Sequence, residues 1–311
     1  MYFPYLRGRQ FELIALRELV ENSLLSEKVI PVVEPVKLSS TLLKTIQVFE
    51  DKGAKIALIF NPYVGSFKAD LEKEKNASLK VKFLDVVKST AVIRTHIFNK
   101  NSEEQLTHLL EKGTSPDKLI TICCNKDYIS AYENVFTKIK PKYNLILDES
   151  VFRRRIRDNR VLLNDKFVKQ DRNTDYAGID ESFSDDHLYY MEDGYIGFSD
   201  YSIIGDEYSE SGFAPYAVAI HIVYFDKGNS LRIRHFVSDS NDDITDPANK
   251  FSQAVGKLVK WNETAKLDTL GIKLFMEMFK NETYPGLGIV KKLSIMHHIE
   301  LISRYLDGDK K

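Results

Sequence analysis

Polar side chains follow most of the apolar runs in this 311-residue chain. Each run ends at a carboxylate, an amide or an arginine, which is a place where chemistry could be positioned. Carboxylates and amides that converge at one point could bind a metal ion or act as acid and base. The same residue types are also common in helix caps and turns, so a purely structural interpretation competes with this one. The residues in question are Arg7, Arg9, Glu34, Asn61, Asn99, Asn125, Asp148, Glu149 and Asp200.

Three of these carboxylates are candidate catalytic residues: Glu34, Asp148 and Asp200. Glu34 and Asp148 are the best placed, because Val-Val-Glu-Pro and Ile-Leu-Asp-Glu set a carboxylate directly at the end of an apolar run. The candidate substrate-binding residues beside them are Arg7, Arg9 and Asn61. No His-Glu-x-x-His, Gly-x-Ser-x-Gly or Gly-Lys-Ser/Thr motif occurs, so the sequence names no metal ligands and no cofactor.

A basic stretch provides two further candidate substrate-binding residues, Arg154 and Arg157. Residues 150–172 hold eight Lys or Arg against three Asp, whereas residues 173–226 hold no Lys or Arg against twelve Asp or Glu. Arg153, Arg157 and Arg160 would share one face if residues 151–159 are helical, and could then hold a phosphate or a carboxylate. Two plainer alternatives remain: the basic stretch neutralises the acidic one, or it is a solvated helix face.

The elements that would position these residues alternate between strand and helix patterns. Helical spacing of apolar residues, as over residues 10–24, separates apolar runs that are typical of strands covered on both faces. Eight such strands predict a closed (β/α)8 barrel, with an open doubly wound sheet as the rival fold. The barrel is favoured because no Gly-x-Gly-x-x-Gly follows the first run. The eight predicted strands are 2–6, 29–36, 56–60, 91–98, 119–123, 144–148, 194–204 and 217–225.

One part of the chain departs from this alternation. The connection between the sixth and seventh predicted strands is too long for a plain βα unit, so we expect a single domain over residues 1–311 with an insertion at about 150–193. Within it, residues 160–169 read as a hairpin. Residues 217–225 and 231–237 are expected to be joined by a turn, and residues 249–305 to be mainly helical.

Composition limits the class of protein. Lys plus Arg is 44 and Asp plus Glu is 45, which argues against a wholly basic nucleic-acid coat and an acidic disordered tail. The two cysteines, Cys123 and Cys124, are adjacent and unsuited to a structural disulfide. No signal peptide pattern and no apolar run long enough to cross a membrane occurs. We therefore expect a cytoplasmic protein without membrane contact.

The opening residues, Met-Tyr-Phe-Pro-Tyr-Leu-Arg-Gly-Arg-Gln-Phe-Glu-Leu-Ile-Ala-Leu-Arg-Glu, resemble the start of the bacterial group catalogued as beta family proteins. Ile30-Pro-Val-Val-Glu-Pro-Val, Phe60-Asn-Pro-Tyr, Leu145-Ile-Leu-Asp and Gly197-Phe-Ser-Asp-Tyr resemble the same group. The resemblance covers most of the chain. It implies a phage-defence or mobile-element setting and a protein partner encoded nearby, of nuclease-like type. It carries no established catalytic residues to this sequence.

Two classes of function follow. The first is a component that acts with a partner protein, such as a nuclease, through a polar barrel mouth in a defence or mobile-element module. The second is a barrel enzyme that acts on a phosphorylated or nucleotide substrate with the mouth carboxylates and arginines. The absence of a complete catalytic motif favours the first, and the clustered polar strand ends favour the second. Nucleic acid as a partner is an alternative with weak support, because aromatic residues are sparse in the basic stretch.

Overall fold

The computed structural model describes residues 1–210 and 216–309. The chain divides into two compact units. The first, which we call the barrel unit, comprises Met1–Gln10, Glu27–Asn164 and Asp186–Asp200. The other, which we call the second unit, comprises Phe11–Ser26, Asp165–Asp185 and Tyr201–Lys311.

The strands and helices are numbered separately in chain order. The strands are β1 Tyr5–Leu6, β2 Val32–Val33, β3 Ile56–Ile59, β4 Val92–Ile97, β5 Leu119–Cys123, β6 Tyr143–Leu147, β7 Arg160–Asn164, β8 Asp180–Ser184, β9 Gly197–Asp200, β10 Ala219–Phe225 and β11 Leu231–Val237. The helices are α1 Gln10–Glu21, α2 Ser40–Asp51, α3 Phe67–Glu72, α4 Ala77–Val86, α5 Ser102–Glu111, α6 Ile129–Val135, α7 Ser150–Arg155, α8 Asp186–Tyr189, α9 Pro247–Ala265, α10 Leu270–Lys280 and α11 Leu287–Leu306.

The barrel unit is built on an eight-stranded sheet in the order β1-β2-β3-β4-β5-β6-β7-β9. All neighbouring pairs are parallel. A parallel bridge between Tyr2 and Phe198 brings the last strand beside the first, so the barrel is nearly closed. The four residues of β3 and the five of β5 are all buried, which explains their continuous apolar sequence. The predicted (β/α)8 fold is confirmed.

The assignment of the last strands differs from the sequence prediction. Residues 160–169 do not form a hairpin, because Arg160–Asn164 pairs in parallel with β6 and is the seventh barrel strand. Gly197–Asp200 is then the eighth, and residues 217–225 belong to another sheet. The reason for the difference is the short helix α7 between β6 and β7, whose six residues carry too little periodicity to mark a βα unit. Within 150–193, Asp165–Asp185 is the part that lies in the second unit.

The second unit contains a three-stranded antiparallel sheet in the order β10-β11-β8. The turn between β10 and β11 is the one the sequence predicts, and residues 249–305 are mainly helical as expected. Helix α11 packs on the sheet, where the Nε2 of His297 lies 2.6 Å from the carbonyl oxygen of Val223. Among the helices of residues 1–210 and 216–309, none has the length and apolar character that a membrane crossing requires.

Candidate functional site

A buried carboxylate ties together the carboxyl ends of the first barrel strands. Glu34 directly follows β2 and is completely buried. It pairs with the guanidinium of Arg7, which follows β1, and accepts a 2.7 Å hydrogen bond from the hydroxyl of Tyr5. The backbone N–H of Tyr63, in the loop after β3, donates to its other oxygen at 2.6 Å. These partners show that Glu34 holds three strand ends together.

Two glycines let the loops around Glu34 approach so closely. Gly8 has a φ of +61°, and a Cβ there would lie 3.0 Å from the carbonyl oxygen of Glu34. Gly65 has a φ of +75°, and a Cβ there would overlap the backbone of Val36. A side chain at either position would be both strained and crowded. The loops after β1 and β3 are therefore fixed onto the segment after β2.

Tyr63 continues this network to the fourth strand. Its hydroxyl donates a short hydrogen bond to the carbonyl of Phe98, just beyond β4. Burial of the hydroxyl, together with Tyr128 and Cys124 nearby, raises the pKa of Tyr63 to about 12, so the group stays a donor. Asn61 contributes beside it, because its amide both donates to and accepts from the backbone of Ile97 at 2.7 and 2.9 Å. The side chain of Asn61 thus pairs with the end of β4 as the backbone of a neighbouring strand would.

A cavity of about 520 Å³ opens at the carboxyl ends of β4 and β5, beside Tyr63. Its size suits a small ligand. The carboxyl-end face is also where barrel proteins place their functional residues. The lining residues are Tyr63, Lys68, Ile97, Phe98, Asn99, Lys100, Asn101, Gln105, Cys124, Asn125 and Tyr128.

The lining of this cavity is cationic. It contains two lysines, Lys68 and Lys100, and no carboxylate. Both lysines are exposed, and within the described residues neither makes an ion pair. Burial, and to a smaller extent the charge of Lys68, lowers the pKa of His96 to about 4, so that ring is neutral at pH 7. The amino end of α5, with its partial positive charge, also borders this region, since the N-cap residue Asn101 and the helical residue Gln105 line the cavity.

The amides of the lining combine structural roles with unused donors. Asn99 and Asn125 each accept a backbone hydrogen bond two residues ahead, from Asn101 at 2.8 Å and Asp127 at 2.9 Å. The cap-and-turn interpretation is therefore correct for their oxygen atoms. The amide nitrogen of Asn125 makes no hydrogen bond within the part of the chain that the structure describes. It is available, as are the lysine ammonium groups, to an acceptor in the cavity.

The adjacent cysteines face different surroundings and are not joined in a disulfide. Cys123 ends β5 and is buried, and desolvation raises the pKa of its thiol to about 12. Cys124 is exposed and lines the cavity. Only the thiolate reacts rapidly with thiol reagents, so Cys123 is protected while Cys124 can report on the state of the cavity.

The predicted catalytic carboxylate Asp148 lies at the end of β6 but outside the lining of this cavity. It pairs with Arg153 and accepts a 2.8 Å hydrogen bond from the hydroxyl of Tyr195. Arg155, on the same short helix, forms a two-pronged ion pair with Glu133 of α6. Arg153 and Arg155 are thus neutralised by Asp148 and Glu133, which lie outside the acidic stretch of residues 173–226.

The basic stretch does not form the long helix that would align its arginines. Helix α7 ends at Arg155, and Arg160 is in β7, where it donates to the carbonyl of Gly194 at 2.8 Å. Arg154 and Arg157 are both exposed, and the Nε of Arg157 donates to the carbonyl of Arg154 at 3.0 Å. Neither makes an ion pair within the described residues. Their role as substrate-binding residues stays a prediction.

Asp200 lies among packed side chains. It is buried and accepts a 2.8 Å hydrogen bond from the hydroxyl of Tyr2. The ring of Tyr2 stacks on Phe198, which also contacts Tyr190 just beyond α8. Because Phe198 and Asp200 are two residues apart on one strand, both point to the face that the α8 region covers. The contacts above bring Arg7 and Glu34 together with the loop of Asn61, while Asp148 contacts Arg153 and Tyr195 and Asp200 contacts Tyr2.

The cavity-lining lysines and tyrosines were not among the sequence candidates. Lys100 directly follows Asn99 in the loop after β4, and Lys68 is the second residue of α3, in the connection that follows β3. Lysines in such connections are too common to be selected from one sequence. Arg9 is partly exposed and does not line the cavity.

Within the described residues, no group of three or more His, Cys, Asp or Glu side chains is arranged to hold a metal ion. Comparison of the chain with models of protein families and with curated proteins finds no match.

Proposed function

We propose that the cavity at the carboxyl ends of β4 and β5, called the barrel mouth from here on, binds a phosphorylated small molecule. In this proposal the protein recognises the molecule and does not transform it. The observation that carries this proposal is the lining of the 520 Å³ cavity, which holds no carboxylate and two lysines that have no acidic partner among residues 1–210 and 216–309. Lysine ammonium groups and amide N–H groups are the donors that proteins use for phosphate oxygens. The cavity is large enough for a mononucleotide or a sugar phosphate.

The positions of the candidate catalytic residues support binding more than catalysis. Glu34 is buried in an ion pair with three donors around it, and Asp148 and Asp200 each accept from a tyrosine hydroxyl. A general acid or base must reach the proton it transfers to within hydrogen-bond distance. The lining of the cavity presents hydroxyl, amide, thiol and ammonium groups instead.

For the setting, the resemblance to beta family proteins is the only guide. We propose that the protein works with a partner protein encoded nearby, of nuclease type, in a phage-defence or mobile-element module. Binding of a phosphorylated molecule at the barrel mouth would then be the signal to which the protein and its partner respond. Co-elution of the chain with the product of the adjacent gene on size exclusion, with and without a mouth ligand, tests this part.

The exposed thiol of Cys124 provides a direct test of the mouth. The protein is treated with a thiol-reactive maleimide, and the rate of labelling at Cys124 is measured by mass spectrometry with and without AMP, ATP, pyrophosphate or glucose 6-phosphate. Bound phosphate compounds should slow the labelling and raise the melting temperature. Adenosine, which has the same base and sugar as AMP but no phosphate, should do neither.

Matched lysine variants make the test specific. Lys68→Ala combined with Lys100→Ala should weaken protection at least tenfold, because two point charges near the phosphate are lost. Lys82→Ala combined with Lys118→Ala removes the same charge from exposed positions outside the cavity and should leave protection unchanged. Absence of protection by all four phosphate compounds, or equal loss in both double variants, contradicts the proposal.

A further inference from the structure

The second unit carries a surface that is both basic and aromatic. On the central strand β11, Arg232, Arg234 and Phe236 alternate and so lie on one face of the sheet. Tyr224 of β10 is paired directly with Arg232 and belongs to the same face. Guanidinium groups and aromatic rings are thus set side by side on one sheet.

Helix α9 adds the only tryptophan of the chain to this face. The indole of Trp261 meets Tyr224 edge to face at a centroid distance of 5.1 Å, and Phe236 at 5.4 Å with the ring planes tilted by 53°. The guanidinium carbon of Arg234 lies 5.7 Å from the indole centroid. Neither neighbouring ring stacks in parallel on the indole, and Trp261 is partly exposed.

Trp261 borders two cavities, of about 450 and 500 Å³. Each has room for a nucleotide-sized group. The first is lined by Ala177, Gly178, Ile179, Arg234, His235, Phe236, Val237, Lys257, Lys260 and Trp261. The second is lined by Tyr224, Phe225, Asp226, Lys227, Arg232, Trp261, Thr264, Ala265 and Leu267.

The two linings together are strongly cationic. They contain five Lys or Arg side chains and one carboxylate, Asp226. That carboxylate is directed at the turn after β10, where it accepts backbone hydrogen bonds from Gly228 at 2.7 Å and Ser230 at 3.0 Å. Within the described residues, Lys260 makes no hydrogen bond or ion pair. The side chains of Arg232 and Arg234, although paired with Asp180, remain 34% and 42% exposed.

We propose that this surface binds single-stranded nucleic acid, with one base stacked on Trp261 and the flanking phosphates held by Arg234 and Lys260. The two cavities both border Trp261, so each can hold one of two successive nucleotides on either side of the indole. Stacking on aromatic rings, combined with a basic groove for the backbone, is the general means of binding single strands without reading their sequence. A double helix hides its base faces and cannot use the indole in this way.

The single tryptophan makes the contact directly observable. The intact chain is titrated with a twelve-nucleotide thymidine oligonucleotide while the fluorescence of Trp261 is recorded, and a fluorescein-labelled copy gives the affinity by anisotropy at several salt concentrations. We expect the indole fluorescence to be quenched in step with binding. Replacing the oligonucleotide by its duplex, or by an acidic peptide of twelve glutamates, should give binding at least tenfold weaker.

Two pairs of variants separate stacking from charge. Trp261→Leu keeps an apolar side chain but no aromatic face and should weaken binding about tenfold or more, whereas Trp261→Phe, which preserves the packing on Tyr224 and Phe236, should weaken it less. Lys260→Ala should weaken binding and reduce the salt slope by about 0.7. Lys280→Ala removes a charge from an exposed position of α10 outside both cavities and should change neither.

Several results would overturn this proposal. One is oligonucleotide binding without a change in indole fluorescence, and another is equal affinity for the glutamate peptide. Equal effects of Lys260→Ala and Lys280→Ala would reduce the binding to non-specific charge attraction. A loss of oligonucleotide affinity in the Lys68→Ala, Lys100→Ala double variant would place the binding at the barrel mouth instead.

Discussion

Glu34 in the barrel unit and Asp180 in the second unit have the same kind of partners in different surroundings. Glu34 accepts from the hydroxyl of Tyr5 and pairs with Arg7. Asp180 accepts from the hydroxyl of Tyr224 at 2.8 Å and pairs with Arg232 and Arg234. The side chain of Glu34 is fully buried, whereas that of Asp180 is 25% exposed.

The difference in burial gives Glu34 a structural role and Asp180 a role at the protein surface. Removing one partner of a buried pair leaves an uncompensated charge that water cannot reach, which is costly. Partly exposed arginines can be rehydrated, so their carboxylate contributes less to stability. Glu34 therefore fixes the loops that border the mouth cavity, while Asp180 orients arginines that remain available to a ligand.

The largest effect is expected for Glu34→Ala. The change leaves Arg7, only 14% exposed, without its carboxylate, and leaves the Tyr63 N–H and Tyr5 hydroxyl without their acceptor. The free energy of unfolding should fall by about 3–5 kcal/mol. Urea denaturation followed by circular dichroism measures it.

Glu34→Gln is the matched control, because it keeps the volume and one carbonyl acceptor. It should cost clearly less than Glu34→Ala but should still lower the unfolding free energy, since Arg7 loses its counter-charge. A Glu34→Ala protein as stable as the wild type would show that Arg7 and Tyr63 find other partners, and the structural role would be refuted.

Asp180→Ala should have a smaller effect on stability and an opposite effect on binding. Because Arg232 and Arg234 reach water, the unfolding free energy should fall by about 1–2 kcal/mol. Removing a carboxylate from a basic surface should also strengthen binding of the thymidine oligonucleotide about threefold at low salt. Urea denaturation and anisotropy measure the two quantities. A stability loss equal to that of Glu34→Ala would erase the contrast between the two sites.

Much of the fold could be predicted from sequence, for a physical reason. Strands covered on both faces need continuous apolar runs, and runs such as Ile56–Ile59 and Leu119–Cys123 stand out from the helices between them. The failure came at Arg160–Asn164, where the connecting helix α7 has only six residues. A helix this short leaves no amphipathic period to read, so the sequence pattern assigns the parallel strand β7 to an insertion.

The site was less predictable than the fold. The residue after each strand could be located, but whether it faces the mouth or the packed side of the barrel depends on one residue of register. Asp200 illustrates this, because its side chain is on the same face as Phe198 and meets Tyr2. Lys68, in α3, and Lys100, in the loop after β4, border the cavity because the connections that carry them are held by contacts such as those of Gly65 and Ser102, which no local pattern reveals.

A third prediction concerns pH and the histidines of the second unit. His235 is buried, its Nδ1 lies 2.6 Å from that of His221, and Glu181 lies 3.6 Å from its Nε2. Burial lowers the pKa of His235 to about 4 in the folded protein. Between this value and the ordinary value of about 6.5 the unfolded chain binds a proton that the folded protein does not, so stability is full above about pH 6.5 and falls as the pH drops.

His235→Asn tests this dependence, because the amide can still bond to His221 but does not titrate. The loss of unfolding free energy between pH 7 and pH 5.5, measured by urea denaturation, should be about 1 kcal/mol smaller in the variant than in the wild type. Identical losses in wild type and His235→Asn would mean that His235 is protonated as readily in the folded state.

The smallest effect on stability is expected for Arg154→Ala combined with Arg157→Ala. Both side chains are exposed, and within the described residues neither makes an ion pair, so the unfolding free energy should change by less than about 0.5 kcal/mol. Arg155→Ala, which removes the pair with Glu133, should lower the unfolding free energy slightly more.

If Arg154 and Arg157 reach a ligand at the mouth, protection of Cys124 by ATP should weaken severalfold in the double variant while its melting temperature stays unchanged. Unchanged protection would identify them as a solvated surface and confine anion binding in the barrel unit to Lys68 and Lys100.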